Sequence, residues 1–538
     1  MDGAVSAIRQ RTRVSGGPLG DPTYRMLWAA QLGSAVGGWM QAVGAQWMLV
    51  HRPGAATWVS LVQAASLLPV MFVSLPAGVL ADVLDRRRLL IGVQSAMTVL
   101  AALLTLLTAT GRTTPAVLIA FTFLLGCGQA VGNPAWQAIQ PELVPREQIP
   151  AAAALGSLSV NVARAVGPAL AGLLLTFTST WVLFGINAVS FTAVILALLR
   201  WRRSGEERAA PEAVVAALHA GGRYVRHAPG VRRILWRAAL FVLPASALWA
   251  LLPVIASVRL HQGSGGYGLL LAALGAGAVA GALGMGRLRK KLTGNQLLLS
   301  SGLLYGAGVL VTAYSTSLLV VTAVSVVTGS GWLVTLSTLN TSMQLTLPAW
   351  VRARALAVYL IVFLGGQGVG SLLWGFVARP LGAQGALVLA GLLLVAAAAS
   401  LPLLPLLPDT GTLDRTVSAH WPEPALVFDT VGDTGPVLVE VVYEVDPEEL
   451  SEFLTAAERL SRSRRRTGAT RWRLYQDAAD PVKVYEVFEV PSWDEHLRQH
   501  HERTTGFDQE VLERVRSLSR TEPRLRHLLP AGSATAGG

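Results

Sequence analysis

The sequence predicts an all-α membrane protein, with twelve transmembrane helices in two pseudo-symmetric six-helix bundles and a small α+β domain after them. Three observations carry this reading. Of 538 residues, 52% are hydrophobic and only 14% are charged, where a soluble domain has roughly 25% charged. The apolar residues form runs long enough to cross a bilayer. Landmarks also recur 203 positions apart: the turn Gly78–Arg88 returns as Gly281–Lys291, Pro145 as Pro348, Gly167 as Gly370 and Gly172 as Gly375. Such an internal duplication in a membrane chain commonly encloses a site between its halves.

Residues 1–409 hold 28 Lys+Arg against 10 Asp+Glu, whereas residues 410–538 hold 16 against 22. The basic excess therefore belongs to the membrane part and reads as topology rather than nucleic-acid binding. The single cysteine, Cys127, allows no internal disulfide and reads as a small packing residue. The polar, arginine-bearing first 24 residues do not have the build of a signal peptide.

The predicted spans are 24–50, 57–83, 89–110, 114–140, 149–176, 178–200, 232–258, 266–287, 293–314, 316–345, 351–378 and 381–407. The N-terminal arm and alternate loops, with their flanking turns, hold 23 Lys and Arg. The opposite loops hold Arg52, Arg112, Arg259 and Arg379. This asymmetry places both termini in the cytoplasm of a multi-pass inner-membrane protein. The expected domains are an arm (1–20), a bundle (21–200), a cytoplasmic connector with a surface helix (201–231), a second bundle (232–408), a linker (409–435), the α+β domain (436–530) and a short tail (531–538). The connector's basic residues are expected to meet lipid headgroups. Proline-rich Leu401–Pro408 ends the last span.

Polar side chains recur at helical spacing within the spans and so share faces. The first helix carries Gln31, Ser34 and Gln41. The fourth carries Gln129, Asn133, Gln137 and Gln140. The fifth carries Ser157, Asn161 and Arg164, and the tenth carries Asn340 and Gln344. A polar stripe among lipid-facing leucines is expected to line a cavity, with hydrogen bonding between helices as the competing role. Arg164 is the one charge expected well inside a span, where it requires a cavity or partner. No Asp or Glu falls in mid-span, so an internal proton relay is not legible. No phosphate-binding glycine loop appears.

The turn Gly78-xxx-Asp82-xxx-Arg86-Arg87, together with twelve spans and the repeat, resembles the major facilitator superfamily. Val83 and Asp85 depart from that family's pattern. Asn133–Arg146 and Asn161–Pro168 resemble the subgroup of enterobactin exporters and macrolide efflux pumps. The resemblance implies a latch role for Asp82. It also implies an exporter-type fifth helix in Ala163-xxx-Gly167-Pro168-xx-Ala171-Gly172. It implies a secondary exporter of small amphiphilic molecules (antibiotic, drug or siderophore class), with proton coupling as an inference from family. A lipid flippase and a membrane-tethered enzyme are the alternatives.

In the tail, Tyr443–Glu449 and Ser492–His500 resemble antibiotic-biosynthesis-monooxygenase-like domains of ferredoxin type, which implies dimerisation through the sheet. No cofactor constellation is evident there. His496 and His500, one helical turn apart, have metal-ligand spacing but no apparent third ligand. Their charge-dense helix reads as a solvated face. The basic run Arg462, Arg464, Arg465 and Arg466 likewise reads as surface.

Overall fold

A computed structural model describes residues 17–201, 214–407 and 435–530. The arm before residue 17, connector residues 202–213, the linker 408–434 and the final tail lie outside the described residues.

The membrane helices begin where the sequence supplies caps. α1 (Pro22–Trp47) starts after Asp21, whose carboxylate accepts from the backbone N–H of Thr23 at 2.7 Å and Tyr24 at 3.1 Å. Proline at the first helical position suits a site that needs no donor. The predicted span 57–83 is divided into α2 (Ala55–Leu67) and α3 (Pro69–Val83), because Pro69 removes a backbone donor at the break. α4 (Arg86–Ala109) starts after Asp85, which caps Arg88 N–H at 2.8 Å. α5 (Pro115–Ile139), α6 (Ile149–Phe177) and α7 (Thr180–Arg200) follow.

α8 (Val214–His227) is the expected connector helix. Beyond it lie α9 (Pro229–Val254), α10 (Ser264–Lys291), α11 (Gly294–Tyr314) with a Thr293–Gln296 capping box, and α12 (Leu318–Thr346). The starts of α5 and α12, Pro115 and Leu318, keep the 203-residue offset. α13 (Ala349–Leu360) and α14 (Gly366–Ala399) are joined by a π-turn.

Ten helices among the described residues are long and apolar enough to cross a membrane. One of them, Ala349–Ala399, runs for 51 residues. That is more than twice the roughly 20 a bilayer needs, and it breaks at Gly382, where φ is 69°. The 26-residue α1 is also long enough, but its glutamines and glycines lower its apolarity. The break and α1 together reconcile ten with the twelve spans expected.

The chain forms two compact units. The first comprises Met1–Pro211, Arg237–Leu339 and Leu360–Pro405. It is organised by two seams of small residues. On α6, a Cβ added at Gly172 would lie 2.8 Å from Gly268 Cα and from the Ser264 carbonyl on α10. On α14, a Cβ at Gly375 would lie 2.5 Å from the Ser60 Cβ on α2. Glycine is required at both places because the facing backbone at Gly172 and the Ser60 side chain at Gly375 leave no room for a side chain. Gly172 and Gly375 are repeat partners, and so are the helices they meet. Both seams lie toward the arginine-poor ends of their helices.

The second unit comprises Glu212–Trp236, Asn340–Tyr359 and Leu406–Gly538. Its sheet contains β1 (Val437–Glu444), β2 (Arg471–Gln476), β3 (Lys483–Val490) and β4 (Arg524–Leu528). The strand order is β2-β3-β1-β4 and every pairing is antiparallel. α15 (Leu450–Thr467) joins β1 to β2, and α16 (Trp493–Arg498) and α17 (Gly506–Arg516) join β3 to β4. This is the ferredoxin-like arrangement. Residues alternate in burial along β1 and β3, so one sheet face packs Val439, Val441, Tyr443 and Phe488 with Phe453 and Leu460 of α15.

Two surface expectations fail here. Arg464 and Arg466 are buried, each 7% exposed. Arg464 pairs at 3.0 Å with Glu486, whose carboxylate also accepts from Tyr443 and Trp472 at 2.9 Å each. Arg466 pairs with Asp508. Arg462 of the same run is exposed and Arg465 half-buried, as a surface helix face requires, and the interior acids that neutralise Arg464 and Arg466 are distant in sequence. His496 and His500 are buried as well, not solvated.

The same unit contains a junction at the connector helix. Arg223 of α8 pairs with Glu495 at 3.2 Å, and Arg503 pairs with Glu495 at 2.7 Å. The Tyr224 ring meets Trp350 edge-on at 5.6 Å, and the Arg503 guanidinium lies 5.1 Å from the Trp350 ring.

Burial raises the Glu495 carboxyl, but the Arg503, Arg223 and Arg498 guanidiniums outweigh it and hold the group below its ordinary value. A carboxyl depressed by folding stabilises above its unfolded value and loses that contribution as pH falls through the folded one. Acidification below about pH 4 is therefore expected to lower the melting temperature of the detergent-solubilised chain less steeply in Glu495→Gln than in wild type. Parallel slopes in a calorimetric pH series would contradict this.

Candidate functional site

The arginine-rich end of the first unit holds a cavity of about 340 Å³. Its wall combines Tyr24, Trp28 and Gln31 of α1 with Asn133, Trp136 and Gln137 of α5. Gly156 and Ser157 of α6 also line it, with Gln140 just past α5 and apolar residues such as Leu27, Leu143 and Val160 between them. Amides and hydroxyls alternate with indole rings, a surface that accommodates a solute with both apolar faces and hydrogen-bonding groups.

The structure assigns the expected residues to different places. Gln31, Asn133 and Gln137 line this cavity. Gln41 is buried and accepts from Asn187 of α7, so it joins two helices instead of facing the cavity. Gln129 is exposed and stands outside the cavity lining. Asn161 donates to the Ser157 carbonyl one turn back, at 2.9 Å. In the second unit, Gln344 donates to Asn340 at 2.8 Å. Arg164 is not satisfied by Asn161. Its Nε has no hydrogen-bond partner, and its guanidinium lies 5.9 Å from the Trp39 ring.

Gly167 and Pro168 sit in mid-α6, and a Cβ at Gly167 would lie 2.6 Å from the Trp39 Cβ. Gly167 and Gly172 thus serve close packing on two sides of α6. Gly78 and Asp82 fall in the last turns of α3, and their surroundings lie outside the described residues. Arg86 pairs with Glu142 at 2.8 Å and donates to the Ala138 carbonyl. Arg87 donates to the terminal carbonyls of α7, Leu198 at 2.8 Å and Leu199 at 3.0 Å. It therefore caps a helix as well as contributing positive charge.

Three groups are not legible in the sequence. Trp249 lies 6.3 Å from Trp39 and 5.6 Å from Trp332, and Trp332 meets Phe241 at 5.7 Å and Phe363 at 5.5 Å. Trp39, Trp249 and Trp332 fall in mid-span, away from the helix ends where indoles favour the interface, and that placement is the one sequence signal of their role. Arg237, 5% exposed, donates to the carbonyls of Ala397, Ser400 and Leu404 at the end of α14. At the arginine-poor end, Gln46 bonds Gln63 at 2.6 Å and accepts from the Tyr267 hydroxyl, while Trp47 stacks on Tyr267 at 5.9 Å. Thr57 donates to the Gly375 carbonyl at 3.2 Å and accepts from Arg379 at 3.1 Å.

A multi-pass helical bundle with a polar cavity at one end and small-residue seams at the other has the build of a major facilitator transporter. The solved structures agree on fold. A bacterial homologue of the human lysosomal transporter Spinster, inward-facing and unoccupied, has TM-score 0.58 at 14% identity over 70% of this chain and 96% of that one. The nucleoside transporter NupG (D323A mutant) also has TM-score 0.58, at 13% identity over 72% and 100%. The family model described as transmembrane secretion effector matches residues 14–535, and the chain belongs to that family.

Among curated relatives, the staphyloferrin A transporter of Staphylococcus aureus (strain NCTC 8325 / PS 47) is 32% identical over 165 residues. The match covers 30% of this chain and 42% of that protein, less than half its length. The multidrug efflux pump Tap of Mycolicibacterium fortuitum is 27% identical over 404 residues, 71% of this chain and 93% of that one. Macrolide efflux protein A of Streptococcus pyogenes is 24% identical over 238 residues, 43% and 58%.

Replacing Gln46 by Leu strips Gln63 and Tyr267 of a shared partner. Leaving a buried polar group unsatisfied costs about 1–3 kcal/mol. Gln46→Leu is expected to melt at lower temperature in detergent than Gln129→Leu, at an exposed position. Equal melting temperatures would show that the contact contributes nothing.

Proposed function

We propose that the chain is a secondary exporter working by alternating access, with a cytoplasmic loading cavity. The polar cavity at the arginine-rich end, opposite packed seams, carries this reading. In it, the halves 21–200 and 232–408 rock about the α6–α10 and α14–α2 contacts. The arginine asymmetry supports an inner-membrane orientation with both termini cytoplasmic. Trp28 and Trp136 beside Gln31, Asn133 and Gln137 suit amphiphilic solutes of the antibiotic, drug or siderophore class, in line with the names of the relatives. Asp82 remains the proposed latch of the loading end, and Arg164 the contact for an anionic group.

The energy source is proposed to be an ion gradient. With no mid-span carboxylate in the sequence, proton coupling rests on the family alone. Pairing of two chains through the sheet's outer face belongs to the same reading. Exposed Tyr475 and Leu528 stand on its edge strands.

A Cβ at Gly156 would have only the Gln140 amide nearby, at 3.5 Å and beyond, so Gly156→Phe should fill the cavity without disturbing helix packing. In a drug-sensitive host screened with an antibiotic and siderophore panel, the wild type is expected to lower accumulation of at least one compound. An uncoupler and Gly156→Phe should each abolish the effect at equal membrane expression. Efflux unchanged in Gly156→Phe would place the loading site elsewhere, and efflux resistant to the uncoupler would exclude proton drive.

A further inference from the structure

The α+β domain contains a cluster that transport does not use. His496 lies on α16. His500 lies one turn on, in the π-helical segment Gln499–Arg503. His527 lies on β4 opposite Val439, on the sheet face turned to the core. Irregular π-turns often mark functional positions. One nitrogen from each ring falls within 4.8 Å of the others. The His496 ring centroid is 4.3 Å from that of His500 and 4.8 Å from that of His527.

His496 is 0% exposed, and the Gln499 side chain can serve at most one of its two ring nitrogens, so at least one is orphaned; Nε2 of His527 also has no hydrogen bond. A buried imidazole normally satisfies its polar atoms. An orphaned nitrogen in the middle of a histidine cluster therefore points to a ligand.

We propose that His496, His500 and His527 form a site for a divalent first-row transition-metal ion of the zinc class. Three neutral imidazoles are a borderline-soft donor set that suits zinc, cobalt, nickel or copper and not calcium or magnesium. Metal–nitrogen bonds of about 2.0–2.1 Å in a tetrahedral site place the donors about 3.3 Å apart, so donors within 4.8 Å of one another have to close by up to about 1.5 Å, shared among three rotating side chains. Gln499 completes the surroundings. Its amide donates to Thr467 at 2.9 Å, and its carboxamide oxygen is left for His496. That leaves an acceptor to fix the tautomer of a neighbouring ligand, as groups behind metal ligands commonly do. The charge of nearby Arg464 is offset by Glu486 at 3.0 Å. Trp493, 5.3 Å from His496 and 5.8 Å from His527, walls the cluster. A bound ion would tie α16 to the edge strand β4, and a fourth position would remain for water.

The test is cobalt titration of the full-length, chelator-treated, untagged protein in detergent. Wild type is expected to take up one ion per chain with the visible bands of tetrahedral cobalt, displaced by zinc. His527→Gln, on a half-buried edge-strand position, and His500→Gln should each weaken binding tenfold or more. His51→Ala, in the membrane part, should not. Melting curves of the metal-free variants separate lost ligation from lost fold. Zinc should raise the melting temperature of wild type and leave that of folded His527→Gln unchanged. Absence of cobalt bands in wild type, or equal affinity in folded His527→Gln, would overturn the proposal.

Discussion

Close approach of two glycine-bearing backbones governs the membrane part of this protein. Lipid is as apolar as leucine, so helices gain little there by hiding apolar surface and associate through intimate packing instead. Gly172 meets Gly268, and its repeat partner Gly375 meets Ser60. The duplication thus produces two equivalent seams, each joining a helix of one repeat to a helix of the other. The polar groups beside them, Gln46 with Gln63 and Tyr267, and Thr57 with Gly375 and Arg379, give the closed arrangement a definite register. A transporter needs a seal of this kind, specific when shut.

Much of this organisation is legible in residue order, because the relevant forces are local or periodic. Runs of apolar residues set the spans, Asp21, Asp85 and Thr293 set helix starts, and the 203-residue offset exposes the duplication. The cavity helices are legible as stripes, and Gln31, Asn133 and Gln137 do meet at one cavity. The stripes do not say which polar residue faces the cavity and which faces a neighbouring helix. Gln41 shares the stripe with Gln31 but bonds Asn187, some 146 positions away. Trp39, Trp249 and Trp332 gather for the same reason, through packing that no local window records.

The α+β domain shows the limit more sharply. A run of arginines reads as surface on cost grounds, since a buried charge is tolerated only with a partner. The partners are Glu486 and Asp508, 22 and 42 positions further on, and they let Arg464 and Arg466 enter the interior. His496 and His500 have no third ligand nearby in sequence, and the fold supplies one from the last strand. Arg223 of the connector helix holds Glu495, 272 positions further on. In each case strand pairing and helix docking bring distant chemistry together.

The seam itself offers the most direct test of alternating access. Cysteines at Thr176 and Gly265, at the same α6–α10 seam and in a Cys127→Ser background, would face each other within reach of a disulfide, since a Cβ at Gly265 would lie 3.4 Å from the Thr176 Cγ2. If transport requires the α6–α10 seam to part, oxidation should stop efflux and a reductant should restore it. Undiminished efflux by the fully cross-linked protein would contradict the mechanism.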